Sequence, residues 1–162
     1  MRRLLLVLFV VFCLCFSACS GKNADFSDVL AGPFEAELAG EMCGIAFEAK
    51  LALEACGEAG VSPATLTFYA PRELAGTQLL RDASGVVTMS YDGISVGDVG
   101  GVGIVLLSLF PSAEQVKQAT VNEQGNTVVL FDNAEIEFSA NGVPLSVKTA
   151  DVTARILSWK KP

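Results

Sequence analysis

Apolar and polar residues alternate along much of the chain after residue 33, and a period of two predicts β-strands. The first run, 34–42, places Phe34 and Leu38 on one face and three glutamates on the other. The second run, 45–54, repeats this arrangement, and residues 41–44 between the runs are typical of a turn. The two runs therefore predict a long antiparallel hairpin with one apolar and one charged face.

The same alternation predicts shorter strands along the rest of the chain. They are separated by turn signals such as Asp92-Gly93 and Asn141-Gly142. Proline cannot donate a hydrogen bond to a neighbouring strand, so Pro71 ends one of them. The further strands predicted are 65–70, 77–81, 86–91, 94–96, 127–131, 134–140, 144–149 and 151–159.

Helices are predicted at two places. Residues 26–31, stopped by Gly32-Pro33, form one or two helical turns. The apolar run 104–110 follows a glycine-rich loop and fits a buried helix or a buried strand. Residues 112–115 have the form of a capping box, which favours helix for the run and predicts a second helical piece over 113–120. The predicted fold is α+β, mainly β, with roughly nine strands in one curved antiparallel sheet.

The first nineteen residues have a different organisation. Two arginines precede an unbroken apolar run, 4–14, which Phe16-Ser17-Ala18-Cys19 closes. This stretch resembles a bacterial lipoprotein signal peptide, with Phe16 where that family usually has leucine. An ordinary secretory signal and a transmembrane anchor are the alternatives, and the apolar run is shorter than the ~20 residues of a membrane span.

The resemblance implies three segments and a location. Residues 1–18 would be a signal peptide, 19–25 a tether, and 26–162 a single domain. Cys19 would receive a diacylglyceryl group and become the first residue of the mature chain. Its acyl chains would anchor the protein to the bacterial cell membrane on the extracytoplasmic side.

Charge and composition exclude several functions. The chain has 11 basic and 18 acidic residues, and removal of residues 1–18 would leave nine basic residues and a net charge of −9. Nucleic-acid binding is not expected, because phosphate contacts require clustered lysine and arginine. Histidine is absent, which removes the usual general base and the commonest metal ligand. We therefore predict no catalytic residue, no metal site, no cofactor and no enzymatic activity.

The mature chain would retain two further cysteines, Cys43 and Cys56. An exported pair suggests a disulfide. The predicted hairpin argues against that pairing, because thirteen residues at ~3.3 Å each far exceed the ~7 Å that a disulfide allows between Cα atoms. The sequence leaves both possibilities open.

The order of elements resembles the LolA-like lipoprotein-carrier fold. The resemblance rests on the short first helix, the hairpin from Phe34, residues 66–71 followed by Leu74 and Gly76, residues 89–93, and residues 142–145. It covers most of the mature chain. It implies an unclosed half-barrel whose concave face is covered by short helices and binds acyl chains. The residues implied to line the cavity are Phe34, Leu38, Phe47, Leu51, Leu66, Phe68, Met89, Tyr91, Ile104, Leu107 and Phe110.

Two functions follow from this interpretation. In the first, the protein is a membrane-anchored lipoprotein that binds a lipid or other apolar ligand in the half-barrel. In the second, the same apolar residues form a closed core, and the protein is a structural or partner-binding envelope lipoprotein. Its acidic face, with Glu35, Glu37 and Glu48, would then contact an envelope protein.

Overall fold

The computed structural model describes residues 26–56 and 61–162. The predicted signal peptide, the tether and Cys19 lie outside these residues. The described chain is mostly β, and its helices are short. The elements are α1 (Phe26–Leu30), β1 (Phe34–Met42), β2 (Ile45–Leu53), β3 (Ala64–Ala70), β4 (Gln78–Arg81), β5 (Val87–Tyr91), β6 (Ile94–Val96), α2 (Val102–Leu107), a 3₁₀ turn (Ala113–Gln115), β7 (Gln118–Val121), β8 (Thr127–Leu130), β9 (Glu135–Phe138), β10 (Pro144–Lys148) and β11 (Val152–Lys160).

All eleven strands of the described chain form one antiparallel sheet. Their order is β6-β5-β4-β3-β2-β1-β11-β10-β9-β8-β7. The first and last strands therefore pair at the centre, and β6 and β7 are the two edges. Because the two edges do not pair with each other, the sheet is unclosed. The segment from β6 to β7, which contains α2, connects one edge to the other.

One face of the sheet carries most of the core, and we call it the inner face. On β1, for example, Phe34, Ala36 and Leu38 are buried while the glutamates between them are exposed. Open sheets of this width curl rather than stay flat. Curling brings inner-face residues from both halves of the sheet into one buried core. Those with an exposed fraction of 2% or less include Phe34, Leu38, Leu51, Leu66, Val129, Ile136, Phe138, Val147 and Val152.

The predicted hairpin turns are confirmed. Cys43 and Gly44 connect β1 to β2 with φ angles of 50° and 82°, and Asp92 and Gly93 connect β5 to β6 with φ angles of 48° and 79°. Two-residue hairpin loops of this kind need positive φ at both positions, which glycine adopts without strain. The full pairing of β1 with β2, from Phe34 opposite Leu53 to Met42 opposite Ile45, follows from the first turn.

The prediction of a helical piece over 113–120 is wrong. Residues 113–115 form a 3₁₀ turn, and the hydroxyl of Ser112 makes no capping hydrogen bond. Beyond the turn the backbone pairs with β8, beginning with the N–H of Lys117, which donates to the carbonyl of Leu130 at 2.9 Å. The β-branched residues of β7 suit a strand. Each of the predicted strand ranges matches an observed strand, and β7 is the additional strand that brings the sheet to eleven.

The prediction of a helix in the apolar run is confirmed for part of its length. Helix α2 begins at Val102 and ends at Leu107. It contacts β3, β4 and β5, and Leu106 and Leu107 are 1% and 2% exposed. Across residues 26–56 and 61–162, none of the helices has the length and apolar character needed to cross a bilayer.

Candidate ligand site

Most of the residues predicted to line a cavity are buried and belong to the hydrophobic core. Seven of the eleven are buried, Phe110 is half-buried, and three are exposed. The buried members come from β1, β2, β3 and α2, and they contact one another as ordinary core residues do. They are Phe34, Leu38, Phe47, Leu51, Leu66, Phe68 and Leu107.

Phe110 belongs to an aromatic cluster that attaches the segment after α2 to the middle of the sheet. The ring of Trp159, the single tryptophan of the chain, stacks on the ring of Phe34 with centroids 4.1 Å apart. Phe110 lies 5.2 Å from each of these rings. Since Phe34 is on β1 and Trp159 on β11, the cluster joins the two central strands to the segment that crosses them.

The three exposed members lie near one edge of the sheet. Met89 and Tyr91 follow the buried Val87 on the inner face of β5, and their exposed fractions are 37% and 51%. They pair in register with Val96 and Ile94 on β6, which are 52% and 72% exposed. Side chains opposite each other in such a pair are ~5 Å apart. We call these four residues the β5–β6 apolar surface.

Helix α2 lies beside this surface without covering it. A Cβ atom at Gly103 would lie 3.7 Å from both Leu79 Cδ2 and Val87 Cγ1, so the helix backbone approaches β4 and β5 closely at that point. Ile104, the next residue, is 48% exposed. The inner face is therefore closed as far as Leu79 and Val87 and open from Met89 outward.

A charged side chain lies on the same face. Arg81 ends β4, opposite Ala64 on β3 and Val87 on β5. Its Nε donates to the carbonyl of Ser62 at 3.1 Å, and its Nη1 donates to the hydroxyl of Ser108 at 3.0 Å. Partial burial lowers the pKa of the Arg81 guanidinium from its usual value. Its charge nevertheless persists at neutral pH because arginine titrates far above 7.

A depression of about 1000 Å³ lies at another part of the sheet, away from the β5–β6 apolar surface. It is open, and it is bounded by the β1–β2 turn, the β10–β11 turn and the end of β3. Most of its side chains alternate with core residues and belong to the outer face. Its charged residues are Glu41, Glu48, Asp151 and Arg155, and small residues such as Ala39, Gly40, Ala46, Ala70 and Ala150 form much of the remaining lining.

The acidic residues of the outer face differ in their surroundings. Glu35 forms an ion pair with Lys50 at 2.8 Å, and the hydrogen bond from Lys50 lowers the pKa of the Glu35 carboxyl. Glu48 lines the depression. No group of three potential metal-ligating side chains occurs in residues 26–56 and 61–162.

Sequence reasoning missed two parts of the candidate site. The strand 94–96 was predicted, but Ile94 and Val96 were not among the predicted lining residues, because three residues do not show which face of a strand is apolar. Arg81 had a usable signal, because it continues an alternation of buried residues, Thr77 just before β4 and Leu79 within it. A cation at such a position is rarely buried without a reason.

Fold and site together define a class: an unclosed antiparallel sheet whose apolar inner face is packed in the middle and open near one edge. No family model matches the chain, and no curated protein matches it. Its fold is similar to that of an uncharacterized conserved protein from Thermus thermophilus, with a TM-score of 0.50, 12% identity, and coverage of 85% of this chain and 84% of the other. At this identity the likeness shows the fold alone.

Two further neighbours have names that match the sequence resemblance. One is a LolA superfamily protein from Nitrosomonas europaea, with a TM-score of 0.49, 6% identity, and coverage of 86% of this chain and 91% of that one. The other is a putative outer membrane lipoprotein-sorting protein domain from Vibrio parahaemolyticus, with a TM-score of 0.46, 10% identity, and coverage of 83% and 88%. LolA superfamily proteins and lipoprotein-sorting domains are thus among the structural neighbours of this chain.

Proposed function

We propose that this protein is an extracytoplasmic, membrane-anchored lipoprotein that binds a lipid acyl chain or a similar apolar ligand at the open edge of its half-barrel. The observation that supports this proposal is the β5–β6 apolar surface, which continues the inner face beyond the part that α2 covers. Binding rather than catalysis is proposed, because the chain lacks histidine and none of its motifs places a nucleophile beside a base.

The size of the apolar surface indicates what kind of binding it supports. Met89, Tyr91, Ile94 and Val96 are each exposed by between 37% and 72%. Full burial of a large apolar side chain contributes ~1.5–3 kcal/mol, so completing the burial of four half-exposed residues contributes ~4 kcal/mol. The cost of bringing ligand and protein together is set against this gain, so contacts with α2 must add to it for a lipid to stay bound. A membrane anchor would raise the local concentration of lipid at the site.

Helix α2 has a defined role in this proposal. It contacts β3, β4 and β5, and the glycine-rich stretch 97–103 precedes and begins it. We propose that α2 and the segment after it form the cover of the concave face. A ligand would lie between the exposed side of α2, at Ile104, and the β5–β6 apolar surface.

The proposal can be tested by native mass spectrometry of the full chain extracted from membranes in mild detergent. We expect the wild type to retain lipid, and the Met89→Ser/Ile94→Ser variant to retain several-fold less. Leu80→Ser is the matched control, because Leu80 is 39% exposed but lies on the outer face of β4. Absence of lipid from the wild type, or equal loss in the control, would refute the proposal.

Anchoring needs a separate test. Cells that express the full chain would be labelled with an alkyne analogue of palmitate, and the chain would be captured and its label measured. We expect label on the wild type and on Cys43→Ser, and none on Cys19→Ser. Label that persists in Cys19→Ser would disprove lipidation at this residue.

A second function is favoured by the open depression on the outer face. Its three carboxylates, from Glu41, Glu48 and Asp151, would suit a basic segment of an envelope protein. Cross-linking in cells should then depend on Glu41 and Glu48. It should not depend on Glu35, which Lys50 already neutralises. Cross-linking that is unchanged in a Glu41→Lys/Glu48→Lys variant would exclude this function.

A further inference from the structure

Thr77 is a buried polar residue on the inner face of the sheet. Its exposed fraction is 6%, and among residues 26–56 and 61–162 no other polar or charged residue is buried. It directly precedes β4, and the N–H of Phe68 donates to its carbonyl at 3.0 Å, which continues the pairing of β3 with β4 by one position. Because Phe68 is a core residue of the inner face, Thr77 lies on that face too.

The pairing of β4 with β5 brings Thr77 next to the β5–β6 apolar surface. Gln78 pairs with Ser90, so the next position on each strand places Thr77 opposite Tyr91. Tyr91 in turn pairs with Ile94 on β6. Side chains that are opposite each other on one face are ~5 Å apart. A ligand that lies on Tyr91 is therefore within reach of Thr77, with no strand between them.

The hydroxyl of Thr77 makes no hydrogen bond within the part of the chain that the structure describes, although its N–H donates to the carbonyl of Leu74 at 2.9 Å. No side-chain oxygen in that part of the chain is both buried and without a hydrogen bond. The Oγ1 atom must therefore be accessible from outside. The described residues that flank 57–60 lie at the other end of β4, where Ala64 pairs with Arg81.

This hydroxyl has no evident role in packing. Its side chain is surrounded by the core on one side and the apolar surface on the other, where valine would bury only carbon atoms. A ligand that covers the hydroxyl removes it from water, and loss of that hydration costs free energy unless a new hydrogen bond replaces it. A ligand at this position is therefore expected to carry a hydrogen-bonding group.

The surroundings favour an uncharged group. The charged residues nearest in sequence to Thr77 and Tyr91 are Arg72, Glu73 and Asp92, all of them exposed. One positive and two negative charges do not favour an anionic head group. The hydroxyl itself is neutral and can donate to a carbonyl oxygen. An ester carbonyl at the head of an acyl chain combines such an acceptor with the apolar chain that the surface would bind.

We propose that the hydroxyl of Thr77 donates a hydrogen bond to the ester carbonyl of an acylated lipid whose hydrocarbon chain lies on the β5–β6 apolar surface. The inference rests on the proposed function, because it names the chemical group by which that site recognises its ligand. Thr77 then determines specificity, since a chain without a carbonyl would leave the hydroxyl covered and unpaired.

The test uses photo-cross-linking to the full chain solubilised in an uncharged maltoside detergent. One probe is the methyl ester of a 16-carbon fatty acid with a diazirine in its chain, and the other is an alkane of the same length with the same diazirine. A neutral hydrogen bond changes an equilibrium constant by roughly 2- to 10-fold. We therefore expect the ester to label residues 86–96 about fivefold more than the alkane does.

Thr77→Val removes the hydroxyl and keeps the shape of the side chain. In this variant the labelling by the ester should fall to that by the alkane. Thr88→Val is the matched control, because Thr88 lies on the outer face of β5, opposite Leu80; it should label as the wild type does. Thr77→Ser retains the hydroxyl and should retain the preference for the ester.

Thermal unfolding separates recognition from a structural role. Thr77→Val should unfold at the wild-type temperature or slightly above it, because it removes a largely buried hydroxyl that has no partner in the described chain. A decrease of several degrees would show that the hydroxyl stabilises the fold, and would overturn the inference.

The labelling outcomes also distinguish the inference from the proposed function. Equal labelling of the wild type by the two probes, a preference that survives in Thr77→Val, or a preference lost in Thr77→Ser would overturn the role of Thr77 and leave the apolar site intact. Absence of labelling by either probe would instead refute the proposed function.

Discussion

Replacing Gly40 with alanine should disrupt the centre of the sheet. Gly40 lies on β1 directly opposite Ala154 on β11. A Cβ atom at position 40 would be 2.2 Å from the carbonyl oxygen of Thr153, 2.7 Å from Ala154 Cα and 2.8 Å from Ala154 Cβ. The first two of these atoms belong to the backbone and cannot rotate away. The substitution therefore requires the two central strands to separate by about 1 Å at this point.

Overpacking of this kind destabilises by ~1–3 kcal/mol when side chains can adjust. Because backbone must move here, we expect a loss of about 3 kcal/mol in the free energy of unfolding, only partly offset by the ~0.5–1 kcal/mol that alanine gains over glycine in a strand. Urea unfolding followed by the fluorescence of Trp159 measures this loss, since Trp159 lies on β11 itself.

Gly103→Ala is the matched control for this experiment. The added Cβ would lie 3.7 Å or more from its nearest neighbours, which are side-chain atoms of Leu79 and Val87. Alanine is preferred over glycine in a helix by ~1 kcal/mol, so α2 should tolerate the change or gain slightly. A free energy of unfolding for Gly40→Ala within about 0.5 kcal/mol of the wild-type value would contradict the close approach of β1 and β11 at this position.

Three further predictions concern the aromatic cluster of Phe34, Phe110 and Trp159, the turn after β4 that contains Asp82, and helix α1. Trp159→Ala should lower the free energy of unfolding by about 2–3 kcal/mol, and Trp159→Phe by less, because phenylalanine keeps a ring against Phe34; denaturation followed by far-ultraviolet circular dichroism measures both. Hydrogen bonds, first that of Ser84, lower the pKa of Asp82. Its stabilising effect is therefore present above about pH 4 and lost as the pH falls through the folded-state pKa. The difference in Tm between wild type and Asp82→Asn should accordingly shrink below about pH 4, and a constant difference would contradict this. Lys161 donates to two carbonyls at the end of α1, so Lys161→Ala should speed amide hydrogen exchange in α1 and leave β1 unchanged.

Local patterns in the sequence predict the β1–β2 hairpin well. The alternation from Phe34 to Met42 identifies the buried face. A two-residue turn that contains Gly44 then allows only one register between β1 and β2. Pairing between distant strands has no such local signal. Neither the contact of β1 with β11 nor the requirement for glycine at position 40 follows from residues near Gly40.

The region 112–121 shows how a local signal can mislead. Ser112 and Gln115 have the spacing of a capping box, yet the chain leaves the helical conformation after one 3₁₀ turn. Pairing of β7 with β8 gives residues 118 to 121 ladder hydrogen bonds on the side that faces β8. A single side-chain cap stabilises a helix by ~1 kcal/mol. Strand pairing over four residues stabilises the alternative conformation by more, and Thr120 and Val121 also prefer β-structure.

The sequence predicts which face of the sheet carries the candidate site, but not how much of that face is exposed. Alternation correctly assigns Phe34, Leu66 and Met89 to the same side of the sheet. Exposure depends on where α2 contacts that side, at β3, β4 and β5, and this depends on the path of the chain between the two edges. Phe34 and Leu66 are therefore core residues, while Met89 is open, although all three satisfy the same pattern.

The strand order itself explains why the inner face is open at β5 and β6. The chain leaves the sheet at β6, one edge, and re-enters at β7, the opposite edge. The connecting segment must cross the strands between them, and it does so with α2 on β3, β4 and β5 and with Phe110 on Phe34 and Trp159. Its packing contacts on β3, β4, β5 and the central strands leave Ile94 and Val96 of β6 exposed. The β5–β6 apolar surface is thus a consequence of topology, and insertions that lengthen the 97–101 loop should enlarge its exposed area, while substitutions in the core should not.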